Sequence, residues 1–414
     1  MSASPARRAA LRVVQRVFDN GAYADRALAS AAAGLDQRDR ALAQQLAYGT
    51  VQRVRTLDHA IETIGGRPLR KLDPPVRAAL RLGAYQLAFL EGIPARAAVD
   101  ESVELVRDAG LERAVGFTNA VMRRLAEQVR SYVEALPEGT PHDAALCHSY
   151  PDWVAETWWR DFGAQDARAL LRAQNEPPET VVRVNRRRAG TAAPGRPDAE
   201  LPDALHVETV DRRAVDEGLV WPQSRGSQLA GLAVGSTPDE RVLDLCAAPG
   251  GKATQIAGNV VAVEKHAGRA RELRANVERL GAANISVVHA DALRLPAELT
   301  VFDRALVDAP CSGLGVLAAR PDLRWRARPL PDLQLALVRA AAARVRPGGL
   351  IVYSVCTLNR DENEAVVDAA GLDVDDSLAA EWPRYRHPRR PEFLLTLPHL
   401  HRTSGFFIAR LRVP

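Results

Sequence analysis

The first third of the chain repeats its apolar residues at the three- and four-residue spacing of amphipathic helices. The repeat includes Leu11, Val14 and Phe18, then Leu57, Ile61 and Ile64, then Val76, Leu80 and Leu87, then Phe117, Val121 and Leu125. Glycine and proline interrupt it at Gly65, Pro74 and Gly92, where helices would end or begin. Residues 5–135 therefore predict a compact bundle of about seven helices.

A different pattern follows His148. Three tryptophans, at 153, 158 and 159, fall on one predicted helix that Gly163 would end, and core packing explains them better than base stacking. Strand-like segments come next at 180–185, 204–209 and 217–222, with a proline- and glycine-rich loop over 189–203. The pattern indicates a small α+β domain over residues 145–222.

From residue 223 onward, predicted strands and helices alternate. The strands lie at 242–245, 260–264, 285–289, 303–309 and 350–355, the helices at 266–280 and 331–346, and a closing pair of strands at 393–398 and 404–412. This alternation is typical of a doubly wound, Rossmann-like α/β domain, here over residues 223–414. The predicted domains are thus 1–135, 145–222 and 223–414.

Composition narrows the class of protein. With 47% hydrophobic and 26% charged residues among 414, the chain should be globular. Four cysteines are too sparse for a disulfide framework or a zinc site, so we expect no metal. We also expect no membrane span, a cytoplasmic location and a monomer. The basic residues are almost all arginine, which weakens arginine richness as an indication of nucleic-acid binding and makes Lys252 stand out.

The segment from Arg241 to Thr254 is the most informative one. A buried strand runs into a Pro-Gly-Gly turn, and we expect a helix after it whose positive end would face an anionic group. Cys246 and Ala253 are incompatible with a phosphate-binding P-loop. Ala248 and Ala253 also break the Gly-x-Gly-x-x-Gly spacing of dinucleotide-binding proteins. The remaining interpretation is the nucleoside-binding loop of an S-adenosylmethionine-dependent methyltransferase.

The motif at 244–252, Asp-Leu-Cys-Ala-Ala-Pro-Gly-Gly-Lys, closely resembles the corresponding motif of the Sun family of RNA cytosine-C5 methyltransferases. In the helical region, Tyr48-Gly49-Thr50, Leu82-Gly83-Ala84-Tyr85 and Asn119-Ala120-Val121-Met122 resemble the NusB-like domain fused to its bacterial 16S ribosomal RNA members, the RsmB type. The resemblance spans essentially the whole chain. It implies an N-terminal NusB-like RNA-binding bundle, a small RNA-binding subdomain and a C-terminal class I methyltransferase domain.

Ligands of open α/β sheets bind at the carboxyl ends of the strands. Glu264 ends the second predicted strand, where an acid can accept hydrogen bonds from the two ribose hydroxyls, although the family more often has Asp there. Asp291 follows the third predicted strand and would accept a hydrogen bond from the adenine amino group. The residues expected to bind S-adenosylmethionine are Cys246, Ala247, Ala248, Pro249, Gly250, Gly251, Lys252, Glu264, Arg269, Asp291 and Asp308.

Two cysteines follow neighbouring predicted strands, Cys311 in Asp308-Ala309-Pro310-Cys311 and Cys356 in Tyr353-Ser354-Val355-Cys356. Carbon 5 of cytosine becomes nucleophilic only after a thiolate adds to carbon 6, so a reactive cysteine fits carbon methylation. The family resemblance implies that Cys356 is the nucleophile, that Cys311 assists product release and that Asp308 contacts the base. Lys252 is a candidate to stabilise the thiolate.

The expected substrate is small-subunit ribosomal RNA. Two alternatives remain: a transfer RNA methyltransferase of the same chemistry and a non-catalytic RNA-binding assembly factor. The NusB-like region argues against the transfer RNA enzyme, and the pair of cysteines argues against the non-catalytic factor. Arg186 to Arg188 would contact phosphate or form a solvated loop. Tyr353, Arg324 and Trp325 are candidates to support an extruded base.

Overall fold

The computed structural model describes residues 2–188 and 194–414, and the chain divides into two compact units. Unit 1 contains Met1–Glu176 and Leu317–Arg326. Unit 2 contains Pro177–Val316 and Ala327–Pro414. The chain therefore leaves unit 2 after Val316, contributes a short segment to unit 1, and returns at Ala327.

Unit 1 is all-helical apart from its connections. Its main helices are α1 (Pro5–Asn20), α2 (Ala24–Ala31), α3 (Gln37–Gly65), α4 (Pro74–Phe89), α5 (Ala95–Asp108), α6 (Glu112–Glu134), α7 (Pro141–His148) and α8 (Asp152–Ala173). Six α-helices and one short 3₁₀ turn, Leu69–Lys71, cover the region for which about seven helices were predicted. Asp36 caps α3 by accepting a hydrogen bond from the Asp39 amide.

The core of unit 1 consists mainly of alanine, valine and leucine on the inner faces of α1, α3, α4, α5 and α6. Gly163 interrupts α8 with φ of 82° and ψ of 167°, so the predicted helix end is confirmed as a sharp kink. Trp158 is fully buried and packs against Tyr150, with ring centroids 5.7 Å apart. Core packing is thus the correct interpretation of Trp158.

Unit 2 begins with a small antiparallel sheet. Its strands are β1 (Val181–Val184), β2 (Arg196–Pro197), β3 (Ala204–His206) and β4 (Val220–Pro222), in the order β2-β3-β1-β4. One short helix, α9 (Arg212–Asp216), lies between β3 and β4 in the chain. Apolar residues of β1, β3, β4 and α9 form a separate small core.

The large sheet of unit 2 follows. Its strands are β5 (Arg241–Asp244), β6 (Asn259–Glu264), β7 (Ile285–His289), β8 (Phe302–Asp308), β9 (Val345–Val355), β10 (Asp373–Val374), β11 (Leu394–Thr396) and β12 (Phe406–Arg412). The helices after β4 are α10 (Arg225–Leu232), α11 (Ala267–Arg279), α12 (Leu323–Arg326), α13 (Pro331–Ala342), α14 (Glu364–Ala370), α15 (Ser377–Glu381) and α16 (Pro398–His401). Of these, α12 belongs to unit 1.

The strand order is β10-β12-β9-β8-β5-β6-β7, with β11 paired to β12. Strands β5 to β9 pair in parallel, and β12 runs antiparallel to β9. This confirms the predicted Rossmann-like sheet and its antiparallel C-terminal strands. The order reverses between β5 and β8, so the crevice for ligands lies at the carboxyl ends of these two strands.

The described residues include no helix with the length and apolar character needed to cross a membrane.

Candidate active site

The loop between β5 and β6 leaves the sheet at the reversal point. Gly250 has φ of +109°, and a Cβ there would lie 2.9 Å from Leu273. A Cβ on Gly251 would lie 2.7 Å from the indole nitrogen of Trp221, which belongs to β4. Glycine is therefore required at 250 by backbone conformation and at 251 by the close approach of the small sheet.

The expected helix after this loop is not present. Only one 3₁₀ turn forms, Ala253–Gln255, and β6 begins four residues later at Asn259. The residues between Gly251 and the next strand form only this single turn, so the prediction of a positive helix end at this loop was wrong. A charged side chain stands at the position instead: Lys252, directly before the turn.

Arg183 of β1 holds the backbone of this loop through hydrogen bonds. Its guanidinium is buried and donates to the Gly251 carbonyl and to Thr254 Oγ1, each at 2.7 Å. Thr254 Oγ1 in turn donates to the Gly250 carbonyl at 2.7 Å. Burial lowers the pKa of Arg183 to about 10, so the side chain stays charged at neutral pH. The small sheet thereby fixes the backbone on both sides of Lys252.

Acidic side chains end the strands of this edge, as predicted. Asp244 is fully buried at the end of β5, and its Oδ2 has no hydrogen-bond partner among the described residues. Burial, with a contribution from Asp308, raises the pKa of Asp244 to about 7. Glu264, 4% exposed, ends β6 and accepts from the His266 amide at 2.7 Å. These carboxyl groups can accept hydrogen bonds from a polar ligand.

Two further predicted residues, Arg269 and Asp291, lie at the same edge of the sheet. Arg269 donates to the Ala248 carbonyl at 2.6 Å, and its Nε lies 3.6 Å from Glu264, so it joins the loop to the acid of β6. Asp291 follows β7 and forms an ion pair with Lys265 at 2.9 Å, which lowers the pKa of Asp291. Cys246 lies in the loop itself, where burial raises the pKa of its thiol, consistent with a structural rather than a reactive cysteine.

At the end of β8, Asp308 is held on both carboxylate oxygens. Lys252 Nζ lies 2.7 Å from Oδ2, and Ser354 Oγ of β9 donates to Oδ1 at 2.8 Å. The Lys252 ammonium also lies 5.0 Å from the centre of the Phe406 ring. Three strands thus orient one carboxylate–ammonium pair at the strand ends.

The two cysteines meet beside this pair. Cys311 and Cys356 are free and half-buried, with their Sγ atoms 3.1 Å apart. A hydrogen bond from the Cys311 thiol lowers the pKa of Cys356, and Lys252 adds to this effect. The same hydrogen bond together with burial raises the pKa of Cys311. The two shifts run in opposite directions and favour ionisation of Cys356 over Cys311.

A buried carboxylate that the sequence did not single out joins the two cysteine loops. Glu362 is fully buried and accepts from the Ser312 amide and from the Ser312 hydroxyl, with the amide at 2.9 Å. Ser312 Oγ lies 2.7 Å from Thr357 Oγ1. Ser312 and Thr357 each directly follow one of the cysteines. Only the proximity of Glu362 to the Cys356 segment in the chain could have indicated this role.

The residues proposed to support an extruded base are placed elsewhere. Tyr353 is fully buried in β9 and donates to the Glu362 carbonyl at 2.5 Å. Arg324 is 1% exposed in unit 1 and is bound to carbonyl oxygens there. Trp325 packs on the helical core and donates to the Val51 carbonyl at 2.7 Å. The prediction was wrong because these side chains are already committed to the folded core.

One group of possible metal ligands lies in unit 1, where Glu138, Cys147 and His148 have ligand atoms within 4.8 Å of one another. His148 Nε2 is hydrogen-bonded to Glu138 at 2.9 Å, and Arg172 pairs with the same carboxylate. Burial lowers the pKa of His148. The bound arginine already neutralises the carboxylate, so the contacts of this group are those of a structural cluster.

Comparison with known proteins agrees with the geometry. Residues 232–412 match the family model described as 16S rRNA methyltransferase RsmB/F, residues 4–127 match the NusB family, and residues 150–194 match the ferredoxin-like domain of RsmF/B-like methyltransferases. The crystal structure of PH0851 has the same fold, with a TM-score of 0.80 at 23% identity, covering 100% of this chain and 99% of that one.

Two curated relatives match along their whole length. A probable ribosomal RNA small subunit methyltransferase B of Synechocystis is 34% identical, covering 98% of this chain and 99% of its own. A Bacillus subtilis protein with the same description is 32% identical, covering 100% and 99%. The methyltransferase sheet, the NusB-like bundle and these full-length matches agree: the chain belongs to the RsmB/F family of 16S ribosomal RNA methyltransferases.

Proposed function

We propose that this protein transfers a methyl group from S-adenosylmethionine to carbon 5 of a cytosine in 16S ribosomal RNA, through a covalent adduct with Cys356. One observation carries the proposal: Cys356 and Cys311 lie 3.1 Å apart beside the Lys252–Asp308 pair, at the ligand-binding edge of a methyltransferase sheet. A methyltransferase acting on an oxygen or an exocyclic nitrogen needs no thiol, whereas carbon 5 of cytosine needs one to become nucleophilic.

The crevice fits S-adenosylmethionine on its own chemistry. Asp244 offers a buried carboxyl oxygen without a partner, Glu264 can accept from ribose hydroxyls, and Gly250 and Gly251 leave backbone space that a Cβ would fill. Asp291, which follows β7, would accept a hydrogen bond from the adenine amino group. When bound, the cofactor supplies an electrophilic methyl group on a sulfonium centre. The chain's own residues must activate the cytosine.

Cys356 would add as a thiolate to carbon 6 of the cytosine, and the electron pair of the 5,6 double bond would move toward carbon 5 and the ring. Asp308, held by Lys252 and Ser354, would contact the polar edge of the base and orient it. Carbon 5 would then form its bond to the methyl group as the bond between that methyl and the sulfonium sulfur breaks, with its electron pair staying on sulfur. Carbon 5 would next lose its hydrogen as a proton to a base. The carbon–sulfur bond breaks as the double bond returns, and Cys311 would assist this release.

The helical unit would supply RNA affinity, since none of the proposed catalytic residues lies in it and it matches the NusB family. Arg186, Arg187 and Arg188 are exposed at the end of β1, and the first two line a cavity of about 390 Å³ in unit 2. Arg186 is paired with Asp203. Such arginines can neutralise phosphates, so their replacement should reduce the salt dependence of RNA binding. A cytoplasmic location and action as a monomer are part of the same proposal.

The test is to map 5-methylcytosine in ribosomal and transfer RNA from a strain that lacks the gene, and after complementation with wild-type protein or Cys356→Ala. Loss of one 16S methylcytosine, restored by wild-type protein alone, is the expected result. Loss of a transfer RNA methylcytosine would move the substrate to that RNA. Unchanged maps, together with normal levels of ribosome precursors, would contradict a methyltransferase role altogether.

A further inference from the structure

The Cys311 and Cys356 loops are joined at two successive positions. The Sγ atoms lie 3.1 Å apart, and one residue further along each loop Ser312 Oγ and Thr357 Oγ1 lie 2.7 Å apart. A backbone hydrogen bond from the Gly315 amide to the Cys356 carbonyl, at 2.9 Å, also joins the two loops. We call this set of contacts between the Cys311 and Cys356 loops the seam. The loops are therefore linked by three lateral contacts.

Glu362 accepts the hydrogen bonds that hold this seam. Its Oε1 accepts from the Ser312 amide at 2.9 Å, the Leu330 amide at 3.1 Å and Gln334 Nε2 at 2.9 Å. Its Oε2 accepts from the Ser312 hydroxyl and lies 3.4 Å from Thr357 Oγ1. Since each hydroxyl has one hydrogen, Thr357 donates to Ser312 and Ser312 donates to Glu362.

No lysine or arginine among residues 2–188 and 194–414 forms an ion pair with Glu362, although its side chain is fully buried. A buried carboxylate needs its hydrogen-bond donors, and each donor here would be unsatisfied without it. Gln334 extends the link, because its amide also donates to the Pro310 carbonyl just before Cys311, at 2.9 Å. The carboxylate thus fixes the Cys311 loop on both sides of the thiol.

We propose that Glu362 is a positioning residue that holds the Cys311 thiol against Cys356, so that Cys311 donates its hydrogen bond to the nucleophile. The proposal rests on the proposed cysteine chemistry but concerns the free protein, before any RNA or cofactor binds. Glu362 does not itself reach the reacting atoms. It acts through Ser312 and Thr357 on the separation of the two sulfurs.

Position rather than charge should be decisive. In Glu362→Gln the amide oxygen can still accept from Ser312 and Gln334, and the amide nitrogen can donate to Ser312 Oγ if the hydroxyl relay reverses toward Thr357. In Glu362→Ala the Ser312 hydroxyl loses the acceptor that holds the Thr357–Ser312 hydrogen-bond relay in place. Glutamine should therefore retain most of the effect, and alanine should lose it.

The experiment measures alkylation of Cys356 by iodoacetamide across pH in the full-length protein without RNA, with the modified peptide followed by mass spectrometry. Wild-type protein and Glu362→Gln should react at similar rates at pH 7. Glu362→Ala should react about tenfold more slowly, as expected when a thiolate loses one hydrogen bond. Its alkylation profile should move to higher pH.

Glu364→Ala is the matched control. Glu364 is also buried, 3% exposed, and pairs with His387 at 3.0 Å without touching either cysteine loop. It should lose stability without slowing alkylation. If Glu362→Ala does not fold, Ser312→Ala removes the relay hydroxyl alone and should slow alkylation about threefold, which is a partial loss of the same hydrogen bond.

Unchanged alkylation of Cys356 in every folded variant, Ser312→Ala included, would overturn the positioning role. A glutamine variant as slow as the alanine variant would also overturn it, because the effect would then depend on charge. Methylation of cytosine by wild-type protein is measured separately. A shifted alkylation profile without any methylation would leave the positioning role standing and contradict the proposed function instead.

Discussion

Arg324→Met should destabilise the helical unit strongly while leaving the chemistry of the folded protein unchanged. The guanidinium is 1% exposed and donates to the carbonyls of Gln52, Ser149 and Gln174 and to Asn175 Oδ1, at 2.8 to 3.2 Å. It also lies 4.0 Å from the centre of the Tyr150 ring. Burial lowers its pKa to about 10, so it remains charged at neutral pH.

The magnitude follows from what methionine leaves behind. Four oxygen acceptors lose a charged donor, and the net loss of each such hydrogen bond costs about 1 kcal/mol. The Gln174 carbonyl keeps a second side-chain donor, the Gln52 amide at 3.0 Å. Methionine keeps most of the apolar contact with Tyr150, so packing changes little. We expect a loss of about 4 kcal/mol in the free energy of unfolding. For a unit of this size that corresponds to a fall of about 8–16 °C in the melting temperature.

The assay is calorimetric and urea-induced unfolding of the full chain, with Arg326→Met as control. Arg326 lies two residues away and is exposed. It donates to the Gly21 carbonyl at 3.0 Å, lies 4.0 Å from Asp322 and sits 3.9 Å from the centre of the Tyr23 ring. Its replacement should cost less than about 1 kcal/mol. If Arg324→Met melts like wild type yet loses methyltransfer activity, the buried anchor is refuted and a direct role toward RNA must be considered.

Three further outcomes are expected. Cys356→Ala should be inactive yet bind RNA, whereas Cys311→Ala should accumulate a protein–RNA adduct that survives denaturing electrophoresis; the reverse pattern would show that Cys311 is the nucleophile. In Cys311→Ala the acidic limb of adduct formation should move to higher pH, because the hydrogen bond that lowers the Cys356 pKa is gone, and an unmoved limb in stopped-flow or quench experiments would contradict that cause. Glu264→Ala should weaken S-adenosylmethionine binding in calorimetry and reduce the stabilisation of about 2.7 kcal/mol expected at 100 times the dissociation constant; unchanged affinity would remove the ribose role.

The sheet and its functional edge were accessible from sequence for a simple reason. Parallel strands are short apolar runs, and their carboxyl ends carry the acids and cysteines that a ligand needs. Glu264, Asp291 and Asp308 could therefore be expected at strand ends without knowing any contact, whereas the buried Asp244 was not singled out. The helix expected after Gly251 failed because local glycine and proline signals do not reveal how soon the next strand must begin.

Buried polar side chains were the main source of error. Arg324 was proposed to support an extruded base because it follows the Cys311 loop in the chain, and nothing local shows that this arginine is buried against Tyr150. Glu362 was overlooked for the same reason, since an acid among other polar residues looks like surface. Both roles depend on donors or acceptors far away in the chain, such as Ser312 for Glu362 and Gln52 for Arg324.

The structure also gives the two cysteines different environments, and that difference bears on the order of their roles. The pKa of Cys356 is lowered by its hydrogen bond with the Cys311 thiol and by the Lys252 ammonium. The pKa of Cys311 is raised by the hydrogen bond with Cys356, by burial and by Glu362. These opposite shifts favour ionisation of Cys356 over Cys311, whose Sγ atoms lie 3.1 Å apart. In the proposed mechanism, Cys356 would stop accepting that hydrogen bond as a thiolate once it had added to the base, and Cys311 would then be free to act on the adduct. A nucleophile at Cys311 would have to ionise near Glu362, which raises its pKa, whereas Lys252 lowers the pKa of Cys356. This difference supports the proposed assignment of attack to Cys356 and release to Cys311.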